Sequence, residues 1–134
     1  MAFEPNYQHI VDAAYNRESK RLPLYEHIVS SDKIGEIIGK DITSLLNGDD
    51  SDINEFFRLY CNFFKDYGYD VVPFECCIGE VMPGSGALSN SRITPIIQSR
   101  EDFEAYPWDN IPDYYFNKNS KYFNALRNNM PAGM

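Results

Sequence analysis

Two short clusters in this chain bring together residue types that do chemistry: Glu26 beside His27, and Glu75 beside Cys76 and Cys77. A histidine ring nitrogen titrates near neutrality, so His27 can donate a proton, bind a carboxylate or ligate a metal; it can equally be a structural group bonded to a backbone carbonyl. Glu75 stands in an otherwise apolar run, where a carboxylate is costly unless paired or solvated at a pocket. It therefore joins Glu26 and His27 as a candidate catalytic group. Cys76-Cys77 invites zinc, because thiolate and imidazole are zinc ligands. The spacing argues against it: there is no Cys-x-x-Cys, neighbours on a strand point to opposite faces, and His9 belongs to the first helix. Small, buried, apolar cysteines are the expectation, and no metal or cofactor is assigned to residues of this chain. Gly84-Ser-Gly86 lacks the third glycine of a dinucleotide fingerprint and the Gly-Lys-Ser/Thr of a P-loop, so it is expected to be a loop over the mouth of the fold.

Positioning those groups falls to the elements around them. From about Glu4 to Ser19, the apolar residues Tyr7, Ile10, Val11, Ala14 and Tyr15 follow the three-four spacing of a helix face. Arg21-Leu-Pro-Leu-Tyr-Glu-His-Ile-Val29 has no helical period and carries Pro23, the pattern of a short strand with proline near its entry. Ser31 is placed to cap a short helix, Asp32 to Ile38, closed by Gly39; Lys40 to Gly48 is a further short apolar piece ending in the Asn47-Gly48 turn. Asp52-Ile-Asn-Glu55 has the form of a capping box. After it, Ile53, Phe56, Phe57, Tyr60, Phe63, Phe64 and Tyr67 hold helical spacing as far as Gly68. Asp70-Val-Val-Pro-Phe-Glu-Cys-Cys-Ile78 is compact and mostly apolar, the pattern of a strand buried on both faces of a parallel sheet, and Gly79 to Asn90 is its following loop. Ser99-Arg-Glu-Asp102 starts another helix, stopped by Pro107. Pro112 opens a last one to about Asn129, on which Tyr115, Tyr122, Phe123 and Leu126 share a face.

That alternation predicts an α/β fold of right-handed βαβ units, with reactive groups at the C-terminal ends of its strands. Two parallel strands leave open edges, so self-association through those edges is an expected mode of partnership. The alternative is a small stand-alone α/β binding or interaction module that acts through an oligomer or a partner.

Composition narrows the partners. In 134 residues, twelve basic against twenty acidic side chains give a formal net charge of -8, which repels phosphate backbones, so nucleic acid is not an expected partner. The aromatic stripe from Phe56 to Tyr67 therefore reads as core packing rather than a base-stacking platform. Glu4, His9 and Asp12 interrupt what a signal peptide would need, and no stretch approaches the roughly 18 apolar residues of a membrane span. A cytoplasmic protein without a membrane partner is the expectation. Three cysteines, two of them adjacent, suit reduced thiols rather than a disulfide framework.

Arg21-x-Pro23-Leu-Tyr-Glu-His27, the Phe57 to Gly68 helix leading into Asp70-Val-Val-Pro73, and Met130-Pro-Ala-Gly133 resemble the uroporphyrinogen decarboxylase family. The closer resemblance is to its divergent bacterial branch, which includes corrinoid-dependent methyltransferases. The resemblance implies a partial TIM-type (β/α) barrel: an N-terminal helix over residues 1–20, then the first two β/α units over residues 21–134. This is a single incomplete segment of a barrel on the order of 250 residues. It also implies a parent enzyme with a small-molecule substrate. That enzyme either decarboxylates the acetate side chains of a porphyrinogen without a cofactor, as in porphyrin biosynthesis, or moves a methyl group from a corrinoid to a thiol at a zinc site. The chain by itself would be inactive. The family's decarboxylases carry Met-Arg-Gln-Ala-Gly-Arg just after the first strand's proline, where this chain has Tyr25-Glu-His-Ile-Val-Ser30. The methyltransferases hold their zinc ligands later in the chain. Glu26 and His27 match the first-strand position at which family members place active-site groups.

Overall fold

The aromatic stripe in the middle of the chain becomes a helix, α3, over Asp50–Asp66, in a computed structural model that describes residues 3–77 and 96–134. Its stop and its buried face follow the sequence closely. Ile53, Phe56, Phe57, Tyr60, Phe63 and Phe64 are buried, joined by Cys61, while Tyr67 at the C-cap is exposed. The start lies one turn earlier than the Asp52 to Glu55 pattern predicts. Asp49 is the N-cap: its carboxylate accepts from the backbone N–H groups of Ser51 and Asp52, and the Asp52 side chain accepts in return from the N–H of Asp49. Asp50 and Asp52 in the first turn and Lys65 in the last suit the helix dipole.

The other helices are shorter or weaker versions of what periodicity predicts. α1 covers only Gln8–Ala14 of the Glu4 to Ser19 span, and Asn16 beyond it takes a left-handed conformation at φ 54°. α2, Ser31–Ile38, is capped by Ser30 rather than Ser31 and closed by Gly39 at φ 71°. The chain then turns back so tightly that a Cβ on Gly35 would sit 2.6 Å from the Lys40 carbonyl oxygen. A 3-10 turn, Thr43–Asn47, leads to α3. α4, Arg100–Ala105, carries the Ser99/Asp102 capping box that the sequence predicts; a 3-10 turn at Trp108–Asn110 and α5, Ile111–Asn129, follow.

The chain divides into two compact units, one of Met1–Phe74 with Tyr122–Met134 and one of Glu75–Lys121. In the first, the buried face of α3 packs with Ile34, Ile42 and Ala125, and Val29, Val72, Phe74, Tyr122 and Leu126 close over it. Ring edges meet ring faces there, as between Phe57 and Phe74 at 4.8 Å and between Phe74 and Phe123 at 5.9 Å. In the second, Trp108 packs on Phe103 and Tyr106 and donates its indole N–H to the Phe103 carbonyl at 2.8 Å. Ile111 and Asn119 are the buried residues of its part of α5.

The predicted α/β class, and with it the partial TIM-type (β/α) barrel, is overturned: the described residues contain helices and no strand. Residues 21–29 and 70–77 run without regular hydrogen-bonded structure; Ile78 and the predicted loop from Gly79 to Asn90 lie outside the described residues. The reason is local competition for backbone groups. Asp70 donates its N–H to the Leu24 carbonyl at 3.1 Å, as a ladder would require. The Leu24 N–H goes instead to the Asp70 carboxylate at 3.2 Å, and the Pro73 carbonyl is taken by the Tyr60 hydroxyl at 2.8 Å. Pro23 and Pro73 have no N–H to give. Pairing stops at one bond, and without a sheet there is no sheet edge among the described residues through which copies could associate.

Candidate functional site

Arg21 and Asp70 bring the first and second predicted strand segments together. Asp70 is fully buried, and each of its oxygens has two donors. Oδ2 takes the Arg21 Nη1 at 2.6 Å and the Leu24 N–H at 3.2 Å; Oδ1 takes the Arg21 Nη2 and the Asn6 N–H at 2.9 Å. Burial pushes this carboxyl's pKa up, but the guanidinium and the two backbone N–H groups outweigh it and hold the value below the usual carboxylate range. Arg21 also lies over the Phe3 ring, 4.8 Å from its centre, and donates to the Glu4 carbonyl at 3.3 Å. One step along this N-terminal arm, the Tyr7 N–H donates to the Gly133 carbonyl at 2.8 Å. Gly133, at φ 87°, sits so close to the Pro5 carbonyl that a side chain there would clash.

This anchor presents the exposed segment Tyr25-Glu26-His27. The Tyr25 hydroxyl and His27 Nδ1 lie 3.2 Å apart, and the His27 backbone N–H donates to Glu26 Oε1 at 3.1 Å. A phenol, an imidazole and a carboxylate within one tripeptide can bind a carboxylate and exchange protons with it. All three are exposed, so this segment by itself does not provide the water-excluded setting in which such groups stabilise developing charge most strongly. Tyr25 was not among the sequence candidates. Its signal was the i, i+2 spacing to His27, which in an extended chain puts both side chains on one side.

Glu75 belongs to the other unit and is exposed, so the desolvation cost that singled it out in an apolar strand does not arise. The cysteines divide. Cys61 on α3 is buried, and burial pushes its thiol up to about 12. Cys76 is half-buried and Cys77 exposed, against the expectation of buried cysteines. His9 is buried in α1. Among the described residues no three His, Cys, Asp or Glu side chains converge as a metal would need, and no helix is long and apolar enough to cross a membrane. A separate cleft of about 430 Å³ opens between α2 and the turn that follows it. Thr43, Ser31 and Asp32 line it, with Thr43 Oγ1 2.6 Å from Asp32 Oδ1 and 2.9 Å from Ser31 Oγ; Glu26, His27 and Glu75 do not.

Comparison of the chain with protein-family models, with curated proteins and with solved structures returned no match.

Proposed function

We propose that this chain works as part of a uroporphyrinogen-decarboxylase-like enzyme, acting on porphyrinogen-like carboxylates or in corrinoid-linked methyl transfer, with its reactive site completed by further polypeptide. The observation that supports this reading is convergence. The three stretches that carry the resemblance, residues 21–27, the 57–68 helix leading into 70–73, and 130–133, each have a residue tied to one N-terminal arm: Arg21, Asp70 and Gly133. The residue-level resemblance and that anchor support the reading. In this role His27, steadied by Tyr25, supplies or accepts the proton, and Glu26 sets the charge beside it. Loss of carbon dioxide leaves an electron pair on carbon that must be protonated, which is the step suited to an imidazole.

The test is complementation. The chain is mixed with a uroporphyrinogen-decarboxylase-family polypeptide lacking the matching opening segment, and porphyrinogen decarboxylation and thiol methylation are followed. The chain alone should be inactive and the mixture active. His27→Gln should assemble normally yet lose about a hundredfold or more in rate, the usual weight of a general acid. Activity indifferent to Glu26 and His27, or no assembly, would overturn the proposal. A second reading, a small interaction module, is favoured by the exposure of Leu22 at 90% and Ile28 at 60% on the segment flanking the tripeptide. It predicts assembly without either activity.

A further inference from the structure

Cys76 and Cys77 are consecutive, carry no disulfide, and lie outside any helix or strand. In a strand their sulfurs would point to opposite faces; without one, that constraint lapses. Tyr115 on α5 holds the segment by donating its hydroxyl to the Cys76 carbonyl at 3.3 Å. The same phenol is pushed above its usual range, first by burial and then by the charge of the two cysteines. All three residues belong to the same compact unit.

The pair's chemistry is set by its spacing. Adjacent Cα atoms stand about 3.8 Å apart across a trans peptide, whereas a relaxed disulfide prefers about 5.5–6 Å, so a direct S–S bond here would be strained and readily reduced. A bridging atom lengthens the span between the sulfurs and relieves that strain. Zinc is a poor bridge, because it asks for four ligands, and among the described residues no three His, Cys, Asp or Glu side chains, the neighbouring Glu75 included, are grouped so as to hold a metal. A soft trivalent centre content with two thiolates needs nothing more than these two residues.

We infer that Cys76 and Cys77 form a vicinal dithiol site that chelates trivalent arsenicals through both sulfurs, with the Tyr115 hydroxyl holding the intervening backbone. With an organoarsenic oxide, two As–S bonds form and the arsenic–oxygen bonds break. The two thiol protons leave with that oxygen as one water, and neither arsenic nor sulfur changes oxidation state. The second thiol binds at the high effective concentration that its neighbour provides, which gives the pair an advantage over any single cysteine.

The experiment uses the full chain and phenylarsine oxide, followed by intact mass and by counting thiols open to a thiol reagent. One arsenical should add per chain with loss of one water, and the two exposed or half-buried thiols should disappear together. A dithiol should reverse the adduct, while the same concentration of a monothiol should not. Cys76→Ser and Cys77→Ser should each weaken binding at least about a hundredfold, whereas Cys61→Ala should bind as the parent does. Tyr115→Phe keeps the ring, removes the hydroxyl, and should weaken binding severalfold; near-UV circular dichroism checks that each variant keeps its packing. An adduct that survives either serine substitution would overturn the inference, as would two thiols that react independently. Binding equally tight in urea would overturn the role given to Tyr115 and the fold.

Discussion

Asp70 shows how one residue can be misjudged from its neighbours. In sequence it opens an apolar run and reads as the first residue of a strand; in the structure it is a buried carboxylate bonded to a guanidinium 49 positions away and to two backbone N–H groups. Removing the carboxylate leaves the Asn6 and Leu24 N–H groups without their acceptor, while Arg21 still reaches solvent and the Glu4 carbonyl, so Asp70→Ala should cost about 2–3 kcal/mol by urea unfolding. Asp70→Asn, which keeps an acceptor, should fall between that variant and the parent. The pH dependence follows in sign. The folded carboxyl is held below its unfolded value of about 3.9, so its contribution is complete above that value and is lost as pH falls through the folded one. Unfolding midpoints measured down the acid range should drop less steeply in Asp70→Asn. Cys61 gives the opposite limb. Burial raises its thiol from an ordinary 9.0 to about 12, so its contribution is complete below 9.0 and is lost as pH rises toward 12. Cys61→Ala should remove that part of the alkaline loss.

The helices were legible in proportion to how local their causes are. The α3 stripe repeats every three to four residues, and a period of that kind has one good solution, a helix with that face buried. Phe57→Ala or Phe64→Ala should cost about 3–5 kcal/mol, because each ring is fully buried and the surrounding rings cannot collapse into the space. The start of α3 was misplaced because several acids compete for the cap and spacing alone cannot rank them. The structure resolves this in favour of Asp49, so Asp49→Ala should cost about 1 kcal/mol. Glu55→Ala should shift the midpoint less than Asp49→Ala does, since Glu55 pairs with Arg58 on the helix surface and caps nothing. Both readings could be separated by the same denaturation series.

At the scale of the whole chain, the most unusual feature is apolar surface that the first unit leaves in water. Leu22, Leu24, Tyr25 and Ile28 are all exposed on one stretch without regular structure in an otherwise strongly acidic molecule. Leu22→Asp and Ile28→Asp should therefore change unfolding free energy by no more than about 0.5 kcal/mol, while reducing any self-association seen by light scattering. A large loss of stability would mean that these side chains are covered in solution. By itself the sequence determined the aromatic core helix, the capped start of α4 and the extent of α5, because hydrophobic period and capping act over a single turn of chain. The tertiary structure alone decided the fate of residues 21–29 and 70–77. A strand exists only when a partner supplies hydrogen bonds in register, and here the Asp70 side chain, the Tyr60 hydroxyl and two prolines claimed or withheld those bonds first.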